Sequence, residues 1–312
     1  MGSNDANGNL CAWDHVQSTA PIKLNSIILL SLDFGPLLLT IIGNLVFIIT
    51  LIRTRSLHVP ANVFLGALCI SDLLVGVIVQ PIFVFYNGLL ITTMDSVTTR
   101  QLTRYTIAIG TGFSFVFASF VTADRYFAIC HPFAYRKWVS CKSYIYAAIV
   151  ASISYALVVA VCLSTQHYFL EMLVMIYGFC TLVATAAAYT RIYSVIISKR
   201  RTQPNIGTLS NEERTRIRNQ AKEKDKTLVI GIILLLLYLC YIPMFTTATM
   251  AIIRRNEFCA HREKTTIISL DVIFLVLTNS CLNPLVYFVR CSEMRKSAIN
   301  ILRKRRINPL PG

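Results

Sequence analysis

The chain has 312 residues, of which 55% are hydrophobic and only 14% are charged, and its formal net charge is +15. A soluble domain of this length needs more charge to cover its surface, so the composition excludes a soluble globular protein. Nucleic-acid binding would account for the positive charge but not for the long apolar runs, and we set it aside.

Seven apolar stretches are each long enough to cross a bilayer, which takes about 20 mostly apolar residues. Because lipid offers the backbone no hydrogen-bond partners, each stretch must be a helix. The sequence therefore predicts an all-α membrane protein with a seven-transmembrane helix bundle. The predicted spans are, in chain order, Leu24–Ile52, Ala61–Tyr86, Leu102–Cys130, Tyr144–Leu163, Phe169–Ile197, Thr227–Ile253 and Thr265–Val289.

The chain divides into three parts. Residues 1–23 are polar and lack the short apolar core of a cleavable signal peptide, so we expect the first span to serve as the insertion signal. Residues 24–291 form one transmembrane domain. Residues 292–312 are predicted to form a short amphipathic helix on the membrane surface and a short tail. The reason is that Met294, Ala298, Ile301 and Leu302 fall on one helical face and Arg and Lys on the other.

The basic residues lie mostly on one side of the predicted bundle. The loop from Lys199 to Lys226 and the segment after span seven are rich in Lys and Arg, whereas the opposite loops carry few. The positive-inside rule then places the N-terminus outside and the C-terminus in the cytoplasm. The same charges also attract anionic membrane lipid.

Two motifs stand at the ends of predicted spans. Asp124-Arg125-Tyr126 ends span three and is followed by Pro132-Phe133 in the next loop. Span seven contains Asn283-Pro284 with Tyr287 three residues later. Proline removes a backbone hydrogen bond and kinks a membrane helix. An Asp-Arg pair or a kink alone is common, but the combination is specific.

Further motifs occur in order along the other spans: Gly43-Asn44, Leu68-Cys69-Ile70-Ser71-Asp72-Leu73-Leu74 and Cys240-Tyr241-Ile242-Pro243. With these, the chain resembles rhodopsin-like (class A) G-protein-coupled receptors over nearly its whole length. The resemblance implies a plasma-membrane receptor, not an enzyme. Such a receptor transmits an extracellular ligand signal to a heterotrimeric G protein by rearranging its helices.

The resemblance also implies a cation site. A carboxylate inside the membrane is costly, about 2.5–3.5 kcal/mol on insertion scales, and is functional by default. In the family the positions of Asp72, Ser114, Asn279, Ser280 and Asn283 hold a sodium ion in the resting state. Oxygen ligands suit a hard cation. A polar network satisfied by water is the alternative.

The family's switch gives roles to several further residues. Arg125 is expected to pair with Asp124 and, across the bundle, with Glu223; the alternative for Glu223 is a solvated surface charge, where ion pairs contribute only about 0–1 kcal/mol. Phe133 would insert into the G protein. The remaining switch positions are Tyr126, Tyr189, Pro243, Pro284 and Tyr287.

Some positions depart from the family pattern. Arg100 stands where the family has a disulfide-forming Cys, span five lacks its proline near Thr181, and Tyr241 replaces the usual Trp of span six. The missing Cys at Arg100, the missing proline of span five and the very short outer loop before span five resemble melanocortin receptors. Ile82 and Arg104 stand with Arg100 where those receptors carry calcium-binding acids, so their ligand mode is not expected here.

The ligand class is the least determined property. Aminergic receptors place an Asp on span three where this chain has Ile107, which argues against an ordinary monoamine. Cys11 and Cys259 on the outer side either form a disulfide or stay free. Candidate pocket residues in the outer half are Asp33, Gln80, Tyr86, Arg104, Ile107, Glu171, Tyr241 and Asp271.

Three rival functions were weighed. A transporter or channel would need broken helices or charged rings at mid-membrane, and only Asp72 lies that deep. A membrane enzyme would need a catalytic cluster, whereas the five His are scattered over both sides. A receptor-like protein that does not signal remains open, because several switch positions are altered.

Overall fold

The computed structural model describes residues 18–94, 96–165, 168–201, 231, 239–250, 253, 260–290 and 294–300. Within these ranges all regular secondary structure is helical, and six helices are long and apolar enough to cross a membrane. Of the predicted sixth span, Thr227–Ile253, the described part is residues 231, 239–250 and 253. The all-helical prediction is confirmed.

The helices follow the predicted order with slightly different ends. We name each span by its number in the chain, and we call the end that carries Arg53, Arg125 and Pro132 the inner end. The first span is Ala20–Arg53, the second runs from Ala61 to Thr92, the third is Val97–Cys130, the fourth Cys141–Thr165, the fifth Tyr168–Arg201 and the seventh Arg262–Arg290. Shorter helices cover Arg55–Leu57, Pro132–Trp138 and residues 294–300.

The second span runs past its predicted end at Tyr86 and is widened in the middle. It consists of Ala61–Leu74, a π-helical segment Val75–Val79 and Gln80–Thr92. Pro81 has no amide proton and its ring crowds the preceding turn, so the helix widens there and the Gln80 amide bonds to the carbonyl of Val75. Thr93, in the left-handed conformation at φ 61°, ends the span.

The bundle interior contains two apolar clusters. The inner cluster includes Phe47, Phe64, Phe115 and Tyr241, and aromatic pairs such as Phe115–Tyr241, with ring centroids 5.3 Å apart, fill it. The outer cluster is built from the first, second, third and seventh spans around Phe83. On the second span, the buried Asp72 lies between Cys69 of the inner cluster and Val75 of the outer cluster.

The first and seventh spans approach closely at one point, where the backbone of Gly43 meets the ring of Pro284. A Cβ added to Gly43 would lie 2.7 Å from the Cγ of Pro284, closer than carbon atoms approach. Gly43 therefore allows the kinked part of the seventh span to reach the first span, as small residues commonly do at membrane helix contacts.

Helix 294–300 has the expected two-sided character. Met294 and Ala298 are buried, whereas Arg295 and Lys296 are exposed. Two apolar residues of the predicted face, Ile301 and Leu302, lie outside the described residues. The domain boundaries at residues 24 and 291 stay predictions.

Candidate functional site

A buried polar centre surrounds Asp72 at mid-bundle. Ser114 Oγ donates to one carboxylate oxygen at 2.9 Å, and Asn283 Nδ2 donates to the other at 2.7 Å. Ser71 Oγ lies 3.2 Å from Ser114 Oγ. All of these side chains are buried. Residues from the second, third and seventh spans thus converge on one carboxylate. Ser114 and Asn283 are members of the set that the family resemblance implies, and Ser71 is an addition to it.

Two more asparagines, Asn44 and Asn279, are buried in the first and seventh spans. Asn44 Nδ2 donates to the carbonyls of Thr40, at 2.9 Å, and Ser280, at 3.2 Å. The side-chain oxygens of Asn44, Asn279 and Asn283 are buried and have no hydrogen-bond partner among the described residues. Buried oxygens that accept no hydrogen bond, together with a carboxylate, are ligands that suit a hard monovalent cation.

The inner end of the third span carries an ion pair. Arg125 and Asp124 approach to 2.5 Å, and both side chains are largely shielded from solvent. Tyr135 Oη and Tyr144 Oη each donate to the same oxygen of Asp124 at 2.8 Å. One carboxylate therefore holds the guanidinium on one oxygen and two phenols on the other.

The two tyrosines were missed by the sequence analysis. Tyr135 lies on the short helix Pro132–Trp138. Tyr144 lies on the fourth span, and the centroid of its ring is 4.5 Å from the centroid of the Phe64 ring. Burial, and then the charge of Asp124, raise the pKa of Tyr135 well above its usual range, so this phenol keeps its proton and acts as a donor.

Phe133 projects from the inner end of the bundle, and 89% of its surface is exposed. Its helix, Pro132–Trp138, buries none of its residues, and Pro132 at its first position fixes where the helix begins. Tyr126 is half-buried against the His131 ring. An exposed phenylalanine beside the Asp124–Arg125 pair is suited to contact a partner protein.

The other predicted switch residues are only partly described. The Tyr189 ring packs against Gly231 of the sixth span, where an added Cβ would lie 2.7 Å from the ring. Pro243 is half-buried, and its carbonyl accepts from the hydroxyl of Thr247. Pro284 packs on Gly43. Glu223 and the Tyr287 side chain lie outside the described residues.

The candidate pocket residues separate into distinct places. Asp33 and Gln80 meet in the outer half, where Gln80 Nε2 donates to Asp33 Oδ1 at 3.3 Å. Tyr86 and Ile107 belong to the outer apolar cluster. Asp271 is at the exposed outer rim, where it accepts from Asn25 at 3.0 Å.

Two further pocket candidates lie elsewhere. Tyr241 is deeper, with its hydroxyl donating to the Thr111 carbonyl at 2.7 Å. Arg104 is half-buried on the third span. The side chain of Glu171, and both Cys11 and Cys259, lie outside the described residues. Among the pocket candidates whose side chains the structure describes, Asp33 and Gln80 share a hydrogen bond, and Tyr86 and Ile107 share the outer apolar cluster.

Comparison with known families decides the class. Residues 43–287 match the model of the 7 transmembrane receptor (rhodopsin family). The chain belongs to this family. It is a family of receptors and not of enzymes, and the seven-transmembrane fold, the membrane location and a role in signal transduction follow from membership.

Individual relatives of the receptor are distant. A melatonin receptor type 1B-B of Danio rerio is 24% identical over 283 residues, covering 84% of this chain and 78% of that protein. A dopamine receptor 2 of Drosophila melanogaster is 26% identical over 49% of this chain and 33% of its own length.

A gastrin/cholecystokinin type B receptor of Mus musculus is 27% identical over 44% of this chain and 30% of its own length. The chain thus spans only about a third of the length of this receptor and of the dopamine receptor 2. These relatives do not single out the melanocortin receptors, and their diversity identifies no ligand.

Proposed function

We propose that this receptor transmits an extracellular signal to a heterotrimeric G protein through rearrangement of its inner end. The observation that carries the proposal is the closed group of Asp124, Arg125, Tyr135 and Tyr144 beside the exposed Phe133. Arg125 is held by a carboxylate that is itself fixed by two phenols, and the apolar contact residue stands next to it.

In this arrangement Arg125 is restrained, so it is available to a partner only after the inner end opens. A ligand shifts such an equilibrium by its differential affinity for the two states. We propose that Glu223 adds a second restraint on Arg125 and that Tyr189 and Tyr287 support the open state. The contact of the Tyr189 ring with Gly231, which joins the fifth and sixth spans, supports a role in their relative movement.

We further propose that Asp72, Ser114, Asn279, Ser280 and Asn283 hold a sodium ion in the resting state. The unpartnered oxygens of Asn279 and Asn283 beside the carboxylate support this assignment. A bound cation would neutralise Asp72 and link the second, third and seventh spans, so it favours the packing described above.

The ligand is proposed not to be an ordinary monoamine. Ile107, at the position where aminergic receptors have their acid, is buried in the outer apolar cluster. A likeness to melanocortin receptors in overall build rests on Arg100, Thr181 and the short outer loop alone. We propose an orientation with the N-terminus outside in the plasma membrane, because Lys and Arg concentrate at the inner end.

The test is a ligand screen in cells with a G-protein readout, run in parallel on the wild type and on Arg125→Ala. Ligands that signal through the wild type should lose nearly all effect on the variant, while surface expression of the variant stays largely intact. Phe133→Ala should weaken coupling with the ligand affinity unchanged. Full signalling by well-expressed Arg125→Ala would refute the proposal.

A further inference from the structure

A second buried carboxylate lies in the outer half of the bundle, between the first and second spans. Asp33 is 1% exposed and Gln80 is 0% exposed. Their single shared hydrogen bond, Gln80 Nε2 to Asp33 Oδ1, is long at 3.3 Å. The other oxygen of each side chain, Asp33 Oδ2 and Gln80 Oε1, is buried and has no hydrogen-bond partner among the described residues.

The charge of Asp33 is not balanced by any residue that the structure describes around it. Within the described ranges, no Lys or Arg forms an ion pair with this carboxylate. An ionised carboxylate removed from water is costly unless a positive charge compensates it, and one long amide hydrogen bond does not do so. Two unpartnered oxygens, one of them from a carboxylate, are ligands that suit a cation.

This pair is separate from the Asp72 centre. Gln80 is eight residues beyond Asp72 on the second span, which corresponds to about 12 Å along a helix. Between the two levels the spans are in tight contact, because a Cβ on Gly76 would lie 2.8 Å from Cγ2 of Thr40. The two carboxylates therefore do not share one ion.

Oxygen acceptors continue from the pair toward the outer end. Ser26 and Asn87 lie seven residues, about two helical turns, outward of Asp33 and Gln80 on the same helix faces. Both are buried, and Ser26 Oγ and Asn87 Oδ1 have no hydrogen-bond partner in the part of the chain that is described. A row of acceptors favours a cation over an anion along this seam.

We propose that Asp33 and Gln80 form a second binding site for a monovalent cation, reached from the outer end past Ser26 and Asn87. Carboxylate and amide oxygens are hard ligands, and a single carboxylate matches a single positive charge. Divalent ions draw several carboxylates, and no group of three metal-binding acids, His or Cys exists among the described residues. The proposal does not depend on G-protein signalling.

The test uses the purified full chain in lipid nanodiscs without agonist. Its Tm is measured as sodium chloride replaces N-methyl-D-glucamine chloride at constant ionic strength. In Asp72→Asn, which removes the carboxylate of the first site, sodium should still raise the Tm by about 2 °C. The double variant Asp72→Asn/Asp33→Asn should lose that rise.

Two further variants keep the test decisive. Gln80→Met, added to Asp72→Asn, removes the amide oxygen at similar volume and should shift the rise to higher sodium, even if Asp33→Asn folds poorly. Glu263→Gln, an exposed acid at the outer end of the seventh span, is the matched control and should retain the rise. Methylammonium chloride in place of sodium distinguishes an organic ammonium group from a metal ion, and an Asp33-dependent rise with either supports the site.

Three results would overturn the proposal. One is the absence, in Asp72→Asn, of any rise in Tm with sodium or with methylammonium. Another is a rise that survives both Asp33→Asn and Gln80→Met. The third is a rise in Tm that depends on Asp33, is produced by lowering the pH and is not increased by sodium or methylammonium. The Asp33–Gln80 pair would then bind only a proton. None of these readouts involves the G protein, so their failure leaves the proposed signalling function intact.

Discussion

Tyr144 donates a hydrogen bond to Asp124 at 2.8 Å and so ties the fourth span to the ion pair of the third. The acceptor oxygen is shared with Tyr135, while the opposite oxygen holds Arg125. The fourth span is otherwise at the edge of the bundle, and most of its described side chains are exposed. Through Tyr144 this peripheral helix controls the position of the carboxylate that restrains Arg125.

We predict that Tyr144→Phe raises ligand-independent signalling a few-fold. A hydrogen bond to a charged group contributes about 1.5–3 kcal/mol, and losing it frees Asp124 to turn away from Arg125. Losing the Tyr144 phenol also leaves the Asp124 carboxylate with one hydrogen bond fewer, which strengthens its attraction for Arg125. This opposing effect is smaller because the phenol is neutral. Basal G-protein activation at equal surface expression measures the outcome.

Tyr135→Phe is the matched control for that change. It removes the other phenol that donates to the same oxygen of Asp124, from the short helix Pro132–Trp138, and should raise basal signalling by no more than Tyr144→Phe does. Basal activity in Tyr144→Phe at or below that of the wild type would show that the phenol does not restrain Arg125.

Glu223→Ala is predicted to raise basal signalling by releasing the second restraint on Arg125. The coupling at stake is typically about 1–3 kcal/mol, enough to be visible without ligand. Glu212→Ala, which removes another acid from the same loop, is the control and should leave basal output unchanged. Equal behaviour of the two variants would favour a solvated charge at Glu223.

Sodium is predicted to lower basal nucleotide exchange on the G protein, measured in membranes with N-methyl-D-glucamine as the replacement cation. The reason is that a cation at Asp72 binds the resting packing better than the open one. Asp72→Asn should make exchange insensitive to sodium. A wild type whose exchange does not respond to sodium would favour a water-filled network around Asp72.

Gly43→Ala is predicted to destabilise the receptor by about 1–3 kcal/mol, as small-to-large changes do in packed interiors. The added Cβ would lie 2.7 Å from Pro284 Cγ and 3.0 Å from its Cβ, so the seventh span must move. A lower Tm and reduced surface expression are the measurements.

Gly35→Ala on the same helix is the control for this substitution. A Cβ there meets nothing within 4 Å, so Gly35→Ala should only stabilise the receptor, by the difference in helix propensity of about 0.5–1 kcal/mol. If Gly43→Ala were as stable as Gly35→Ala, the close contact between the first and seventh spans would not matter for stability.

Local sequence was sufficient for the spans, because the length and apolarity of a run decide whether a helix crosses a bilayer. It was sufficient for the Asp124–Arg125 pair as well, since the two residues are adjacent. The family pattern added Ser114 and Asn283 around Asp72, and the structure brings them within hydrogen-bonding distance. The widening before Pro81 was not predicted, because its position depends on how the neighbouring turns relax.

Only the tertiary structure decided which distant polar groups meet. Asp33 and Gln80 are separated by 47 residues, and Tyr144 reaches Asp124 across 20 residues and a change of helix. Burial in lipid makes each polar side chain seek a partner, but the periodicity of one helix does not identify that partner. The rotation and close approach of neighbouring spans, set at contacts such as Gly43 on Pro284, determine which oxygens are satisfied and which remain open to a cation.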